Sequence, residues 1–310
     1  MSITKVKTAS REEWLKLRSQ YIGGSDAAAV VGLNPFSSPY ALWAEKTGQI
    51  PCFAGNLATE VGTFLEEFVA QKFAAETGKK VRKCNQSFLN SDYPFAIANI
   101  DREIVGEDAG LEIKTTSELN MKKFKGGEYP ANYYCQCVHY IAMTGKQRWY
   151  LAVLIGNRDF QWFTIERDEA EIAALMGAEA DFWELVKNRT PPVADGSRAT
   201  TDAIKTIFAE SSEDTVDLTL KLPALLQYID LGKQIAELET LRDEAANRIK
   251  SFMGDAGGGE CDGYRVSWKS STRRTFDSKK FAKENPGLDL TGYYKETSAR
   301  TFRVTEMKGA

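Results

Sequence analysis

Ile100-Asp-Arg-Glu-Ile-Val-Gly-Glu-Asp-Ala-Gly-Leu-Glu-Ile-Lys-Thr115 is the stretch that decides how this chain is read. Asp101 follows the apolar run Phe95-Ala-Ile-Ala-Asn-Ile100, and Glu112 and Lys114 sit in a second run, Leu111-Glu-Ile-Lys-Thr115. Between them, Gly106-Glu-Asp-Ala-Gly110 is a turn by composition. The pattern predicts an antiparallel hairpin with strands over 93–105 and 111–115. Glu112 and Lys114 are two apart and share one face, while Ile113 points the other way; Asp101 reaches the first face from the neighbouring strand. Two carboxylates and an ammonium converging on one point suit a magnesium ion with positions left for water and phosphate, and the Ile113 carbonyl can add a ligand. Lys114 can orient an attacking water and stabilise charge growing on the phosphorus oxygens. The plainer reading is a surface hairpin with exposed ion pairs, because D…E-x-K is short and common.

Length and composition set the frame. The 310 residues allow one large domain with an extension, or two domains. With 43% apolar and 27% charged residues, the chain has the composition of a soluble globule. A formal charge of −3 announces no nucleic-acid partner, so any DNA contact has to come from local patches. The start, Met1-Ser-Ile-Thr-Lys-Val-Lys-Thr8, lacks the apolar core of a signal peptide, and no run approaches the ~18 apolar residues of a membrane span. A cytoplasmic protein without a membrane partner is expected. The five cysteines are an odd number, as for reduced thiols. Cys135-Gln-Cys137 is spaced too closely for a zinc pair, and His139 is the one histidine. Cys135 and His139 share a helical face, where buried packing is the default.

Upstream of the hairpin, Glu12 to Arg18 predicts a short helix capped by Ser10. Ile22-Gly-Gly-Ser-Asp26 then opens an Ala/Val helix. Its first N–H groups and the Ser25 hydroxyl suit an anion, on which Arg18 can close; an ordinary capped helix is the plainer reading. Pro39 to Gly48 and Leu57 to Gly78 are amphipathic helices. Glu66 and Glu67 fall inside the second, so one lies near its apolar stripe and needs a metal or a basic partner. Strands are predicted over 80–88, 149–155 and 160–166, and helices over 132–144 and 167–188. Met121-Lys-Lys-Phe-Lys-Gly-Gly127 is a basic loop whose Lys122, Lys123 and Lys125 either hold a phosphate backbone or are simply solvated.

The order helix, three strands, helix, strand, with Glu66, Asp101, Glu112 and Lys114 in line, resembles the PD-(D/E)xK nuclease superfamily. More specifically it is similar to the lambda-type exonucleases and the YqaJ-like viral recombinase family. Trp14-Leu-Lys-Leu-Arg18 with Ile22-Gly-Gly-Ser-Asp26 carries this likeness, as do Gly62-Thr-Phe-Leu-Glu66, Gly110-Leu-Glu-Ile-Lys114, Phe124-Lys-Gly-Gly127 and Tyr133-Tyr-Cys-Gln136. It covers roughly residues 10 to 190. Two positions depart from the pattern: Ile100 stands for the superfamily's proline, and Val138 for the second glutamine of Q-x-Q.

The resemblance implies an α/β (α+β mixed) restriction-endonuclease-like core, a mixed sheet flanked by helices. It implies two magnesium or manganese ions and 5′→3′ digestion of double-stranded DNA. Asp101, Glu112 and the Ile113 carbonyl would bind metal, with Glu66 assisting directly or through water. Lys114 would position the nucleophile, Gln136 would orient it or a ligand, and Arg18 and Ser25 would hold a terminal 5′-phosphate. A homotrimer and a single-strand annealing protein as partner are further implications. The rivals are an endonuclease on the same fold and a catalytically idle DNA-binding or scaffolding subunit.

The expected division is a nuclease domain over 1–192, a linker over 193–221, an amphipathic helix over 222–253 and a small basic-aromatic β-module over 254–310. Leu231, Ile235, Leu238, Leu241, Ala245, Ile249 and Phe252 form the helix's stripe, for an interaction or for packing on the core. In the module, Arg274-Thr-Phe276 and Arg300-Thr-Phe302 mix basic and aromatic residues, as nucleic-acid contact or as solvated arginines.

Overall fold

The computed structural model describes residues 2–295 and 299–305. They fall into two units, Met1–Phe208 and Ala209–Ala310. The first runs β1 (Ile3–Val6), α1 (Arg11–Ser19), β2 (Ile22–Gly23), α2 (Gly24–Val30), α3 (Pro39–Lys46) and α4 (Leu57–Thr77). It continues with β3 (Val81–Lys83), β4 (Ser87–Asn90), β5 (Ala96–Asn99), β6 (Arg102–Ile104), β7 (Ala109–Thr116), α5 (Ala131–Thr144), β8 (Arg148–Ile155), β9 (Asp159–Glu166), α6 (Glu169–Lys187) and α7 (Arg198–Ile207).

A five-stranded mixed sheet in the order β3-β6-β7-β8-β9 carries the hairpin. β6 and β7 are antiparallel, with Arg102 opposite Leu111, and β7 lies parallel to β8 along its whole length. The two-residue alternation sorts β7 between two cores. Ala109, Leu111 and Ile113 pack with Val69, Ala70 and Phe73 of α4, and Glu112 turns toward α5. A Cβ on Gly110 would fall 2.2 Å from the Trp149 ring, so only glycine lets β8's tryptophan lie there. On the other side, α5 is buried among α2, α6 and the sheet through Cys137, Ile141, Met143, Trp149 and Met176. This is the mixed sheet flanked by helices that the resemblance implies. A second, four-stranded sheet runs β1-β4-β5-β2, with β2 and β5 parallel.

Several expectations need correction. The strand over 93–105 is two strands, β5 in one sheet and β6 in the other, and Asp101 sits at the bend between them. The break is explained locally: the Asp101 carboxylate, not a main-chain carbonyl, accepts the Ile113 N–H at 2.8 Å. The run over 80–88 likewise divides into β3 and β4. The 121–127 loop is part of a short-turn helical segment, Glu118–Gly127, pinned by buried Phe124 against Tyr133 and Phe163. The linker over 193–221 contains α7, whose Ala203 is buried and whose Thr200 bonds Ser38 at 2.7 Å, so the first unit runs to Phe208.

The second unit holds α8 (Leu222–Met253) and a hairpin of β10 (Gly258–Cys261) and β11 (Tyr264–Ser267). Asp262 and Gly263 both have positive φ, 44° and 82°, the backbone a tight hairpin turn asks for. The α8 stripe is exposed at Leu231, Ile235, Leu238 and Leu241. The expected 254–310 module reaches past the described residues at 296–298 and 306–310.

Candidate active site

Glu112 is where the hairpin becomes a site. It is 2% exposed. Its Oε1 accepts from Gln136 Nε2 and from Lys114 Nζ, both at 2.7 Å. Its Oε2 is buried with no hydrogen-bond partner. A buried carboxylate oxygen left bare is costly unless something positive meets it. Asp101 adds the second carboxylate, lining the same cavity as Glu112. Burial pushes Asp101 well up, and Glu112's charge adds to that; burial raises Glu112 as well, against the pull of Lys114. Two desolvated acids that resist being charged together, one with a bare oxygen, fit a hard divalent cation. Ile113 lines the same cavity. Among the described residues no group of three or more His, Cys, Asp or Glu is placed to hold a metal ion, and Asp101 and Glu112 are the two buried carboxylates at this point.

Lys114 lies over the Tyr133 ring at 5.5 Å. Burial pulls its ammonium down, but Glu112 and Asp101 outweigh that and hold it above its usual range. Gln136 uses Nε2 on Glu112 and on the Tyr140 hydroxyl, at 3.0 Å, and so holds the Glu112 carboxylate.

Glu66 lines the same cavity from α4. The basic partner that the sequence called for is Arg102, 2% exposed. Its guanidinium donates to Glu66, to Glu67 Oε2 at 3.0 Å and to the Asp101 carbonyl at 2.8 Å. Sequence reasoning missed Arg102. The signal was present: consecutive strand residues face opposite ways, so a residue after Asp101 on the α5 side has to face α4.

One cavity of about 350 Å³ joins this centre to the anion pocket expected at the chain's start. Arg18 Nη2 donates to Ser25 Oγ at 2.5 Å, with the guanidinium 5.5 Å from the Trp14 ring. The helix-start reading needs one correction: the Gly23 N–H is taken by Asp26 Oδ2 at 3.1 Å and is not free for an anion. Asp26 also holds Lys46 at 2.8 Å. Burial pushes Asp26 up, but Lys46 and Arg18 outweigh it and keep the carboxyl below its usual range. A Cβ on Gly24 would lie 2.5 Å from the Tyr140 ring, so this glycine lets α2 close on α5. Asn99, not anticipated either, lines the cavity and accepts from Trp14 Nε1 at 2.9 Å and Ser87 Oγ at 2.6 Å, which fills both acceptor positions of its Oδ1.

Other candidates lie apart. Lys122, Lys123 and Lys125 are exposed and do not line this cavity. Cys135 is buried, and His139 pairs with Glu179 rather than with a thiol: its Nδ1 is 2.8 Å from Glu179 Oε1, and its Nε2 donates to the Ile97 carbonyl at 3.0 Å.

Residues 13–147 match the family described as the YqaJ-like viral recombinase domain. The chain is 38% identical over 311 residues to "Uncharacterized protein YqaJ" of Bacillus subtilis (strain 168), covering 98% of this chain and 97% of that protein. Among solved structures it is similar to an alkaline exonuclease, LHK-Exo, from Laribacter hongkongensis, with 21% identity, a TM-score of 0.49, and 58% of this chain and 94% of that one covered. It is also similar to a phage related exonuclease from Haemophilus somnus 129PT, with 13% identity, a TM-score of 0.41, and coverage of 57% and 99%. Identity of 38% along nearly the full length places the chain: it belongs to the YqaJ-like viral recombinase family.

Proposed function

We propose that this protein is a divalent-cation-dependent exonuclease that digests one strand of linear double-stranded DNA from its 5′ end and leaves 3′ single-stranded tails. The observation that carries this reading is the shared cavity. Asp101, Glu112 and Lys114 stand in the same space as Arg18 and Ser25, an acidic cation-binding pair beside a guanidinium and a hydroxyl suited to a terminal phosphate. A cation held by Asp101, Glu112 and the Ile113 carbonyl, magnesium or manganese by chemistry, would stabilise charge on the phosphate oxygens and make the attacking water more acidic. Lys114 holds that water and meets the negative charge that grows as it adds to phosphorus. Gln136 holds Glu112 by one oxygen and leaves the other without a partner, open to the cation. Arg18 and Ser25 grip the 5′-phosphate, and each cut presents a new one. The tails would suit a single-strand annealing partner in recombination.

The test is a digestion of linear duplex labelled on either strand terminus, beside a covalently closed circle, with magnesium and with chelator. Progressive loss from the 5′ termini in magnesium alone is expected. Cleavage of the circle would indicate an endonuclease, and no cleavage under any condition would indicate an idle binding subunit.

A further inference from the structure

The deeply buried charges near the site include one base as well as the acids: Arg102. Its side chain is 2% exposed, and it bridges Glu66 and Glu67 of α4 while bonding the carbonyl of Asp101, its own neighbour in the chain. Asp101, at the bend before β6, and Arg102, its first residue, therefore present opposite charges to opposite sides of the sheet. An arginine buried there would be costly without these three acceptors. It also lies beside a pair of carboxylates suited to a divalent cation, where a positive charge opposes cation binding. Lys83 reaches Glu66 only at 3.8 Å from a largely exposed side chain and cannot replace it.

Resting on the nuclease reading above, we propose that Arg102 is a positioning residue: it fixes Glu66 at the edge of the cavity and neutralises it, so that Glu66 serves the site through water rather than as a direct ligand. Arg102 thereby lowers the site's affinity for cation while holding the geometry that turnover needs. Without it, Glu66 loses its buried partner and keeps, among the described residues, only the distant contact to Lys83. Glu66 can then swing onto the cation, so binding tightens as catalysis fails. A merely structural role makes the opposite prediction, because a loosened site binds cation less well.

The experiment uses the full chain and manganese(II), followed by loss of its free-ion EPR signal in the absence of DNA, alongside steady-state digestion of linear duplex. In Arg102→Gln the manganese dissociation constant should fall about fivefold. At saturating cation kcat should drop about tenfold or more with KM for DNA little changed. Arg102→Lys keeps the charge and loses the fork, so its manganese affinity should stay near wild type while kcat still falls. Unchanged or weaker manganese binding by a folded Arg102→Gln, or wild-type turnover by it, overturns the proposal. If Arg102→Gln does not fold, Arg102→Lys decides: wild-type kcat overturns the proposal, and reduced kcat at unchanged KM and unchanged manganese affinity supports it. A wild-type protein that binds manganese at Glu112 but cleaves no DNA refutes the nuclease reading, and the manganese titration alone then judges Arg102.

Discussion

Glu112 ties one oxygen to Gln136 and Lys114 and leaves the other bare, and the proposed cation chemistry rests on that asymmetry. The site's members were legible from the sequence because strand alternation fixes which side chains share a face, whatever the rest of the chain does. The bond from Arg18 to Ser25 was legible as a tendency only: Arg18 closes on Ser25 through the α1–α2 approach, and Trp14 and Asp26 steady it. If this pair grips a terminal phosphate, the guanidinium's two hydrogen bonds are the larger part of the grip. Arg18→Ala should then slow digestion of 5′-phosphorylated ends about tenfold or more, at roughly 1.5–3 kcal/mol per charge-assisted bond. On 5′-hydroxyl ends the loss should be much smaller, and Arg18→Lys should rescue only in part because it lacks the fork. The check is a rate comparison on two duplexes identical except for the end. Equal losses on both would mean that Arg18 and Ser25 only close a helix start.

At the scale of elements, helices were easier to read than strands. α4 runs from the Asn56 cap to left-handed Gly78, both local signals, and α8 stops at Gly254. The division of the 93–105 run was not legible, because β5 is claimed by a second sheet whose other strands include β2 and β1, from the start of the chain: Ile22 pairs with Ala96 and Ile3 with Asn90. α7 was hidden by its polar composition and shows itself only through the Ser38–Thr200 contact and buried Ala203. One clamp joins three of these elements. His139 on α5 meets Glu179 on α6 and the Ile97 carbonyl on β5, with both side chains fully buried. Since Nε2 has to donate to a carbonyl, a second proton must lie between Nδ1 and Glu179. Burial opposes a charged His139, but Glu179 outweighs it and raises the imidazole above its usual value. A raised folded-state value means the stabilisation is fully present below the unfolded value, ~6.5, and is lost as pH rises through the folded one. Wild type should therefore lose stability as pH climbs above about 6.5, and His139→Gln should be less stable at pH 6 by on the order of 3 kcal/mol with a flatter pH response. Urea midpoints across that range measure it; parallel curves for the two proteins would remove the clamp from the account.

For the whole molecule, the first unit gathers the candidate centre, the anion pocket and the buried clamp, and the second presents α8 with its exposed stripe and a small hairpin. Among the described residues no helix is long and apolar enough to cross a membrane. The extent of the first unit was misread from the sequence at its end because a Thr-Pro-Pro segment reads as a boundary, whereas the chain returns after it to lay α7 on α3. The proposed function rests on one central claim: Glu112, with Asp101, would bind the cation of a nuclease. Its most direct measurement is the turnover of linear duplex by Glu112→Gln against wild type at saturating magnesium, with matching circular dichroism and melting to establish that both are folded. Loss of a ligand that supplies several kcal/mol of charge stabilisation should cut the rate about a hundredfold or more. A folded Glu112→Gln protein that digests DNA at close to the wild-type rate would contradict the account.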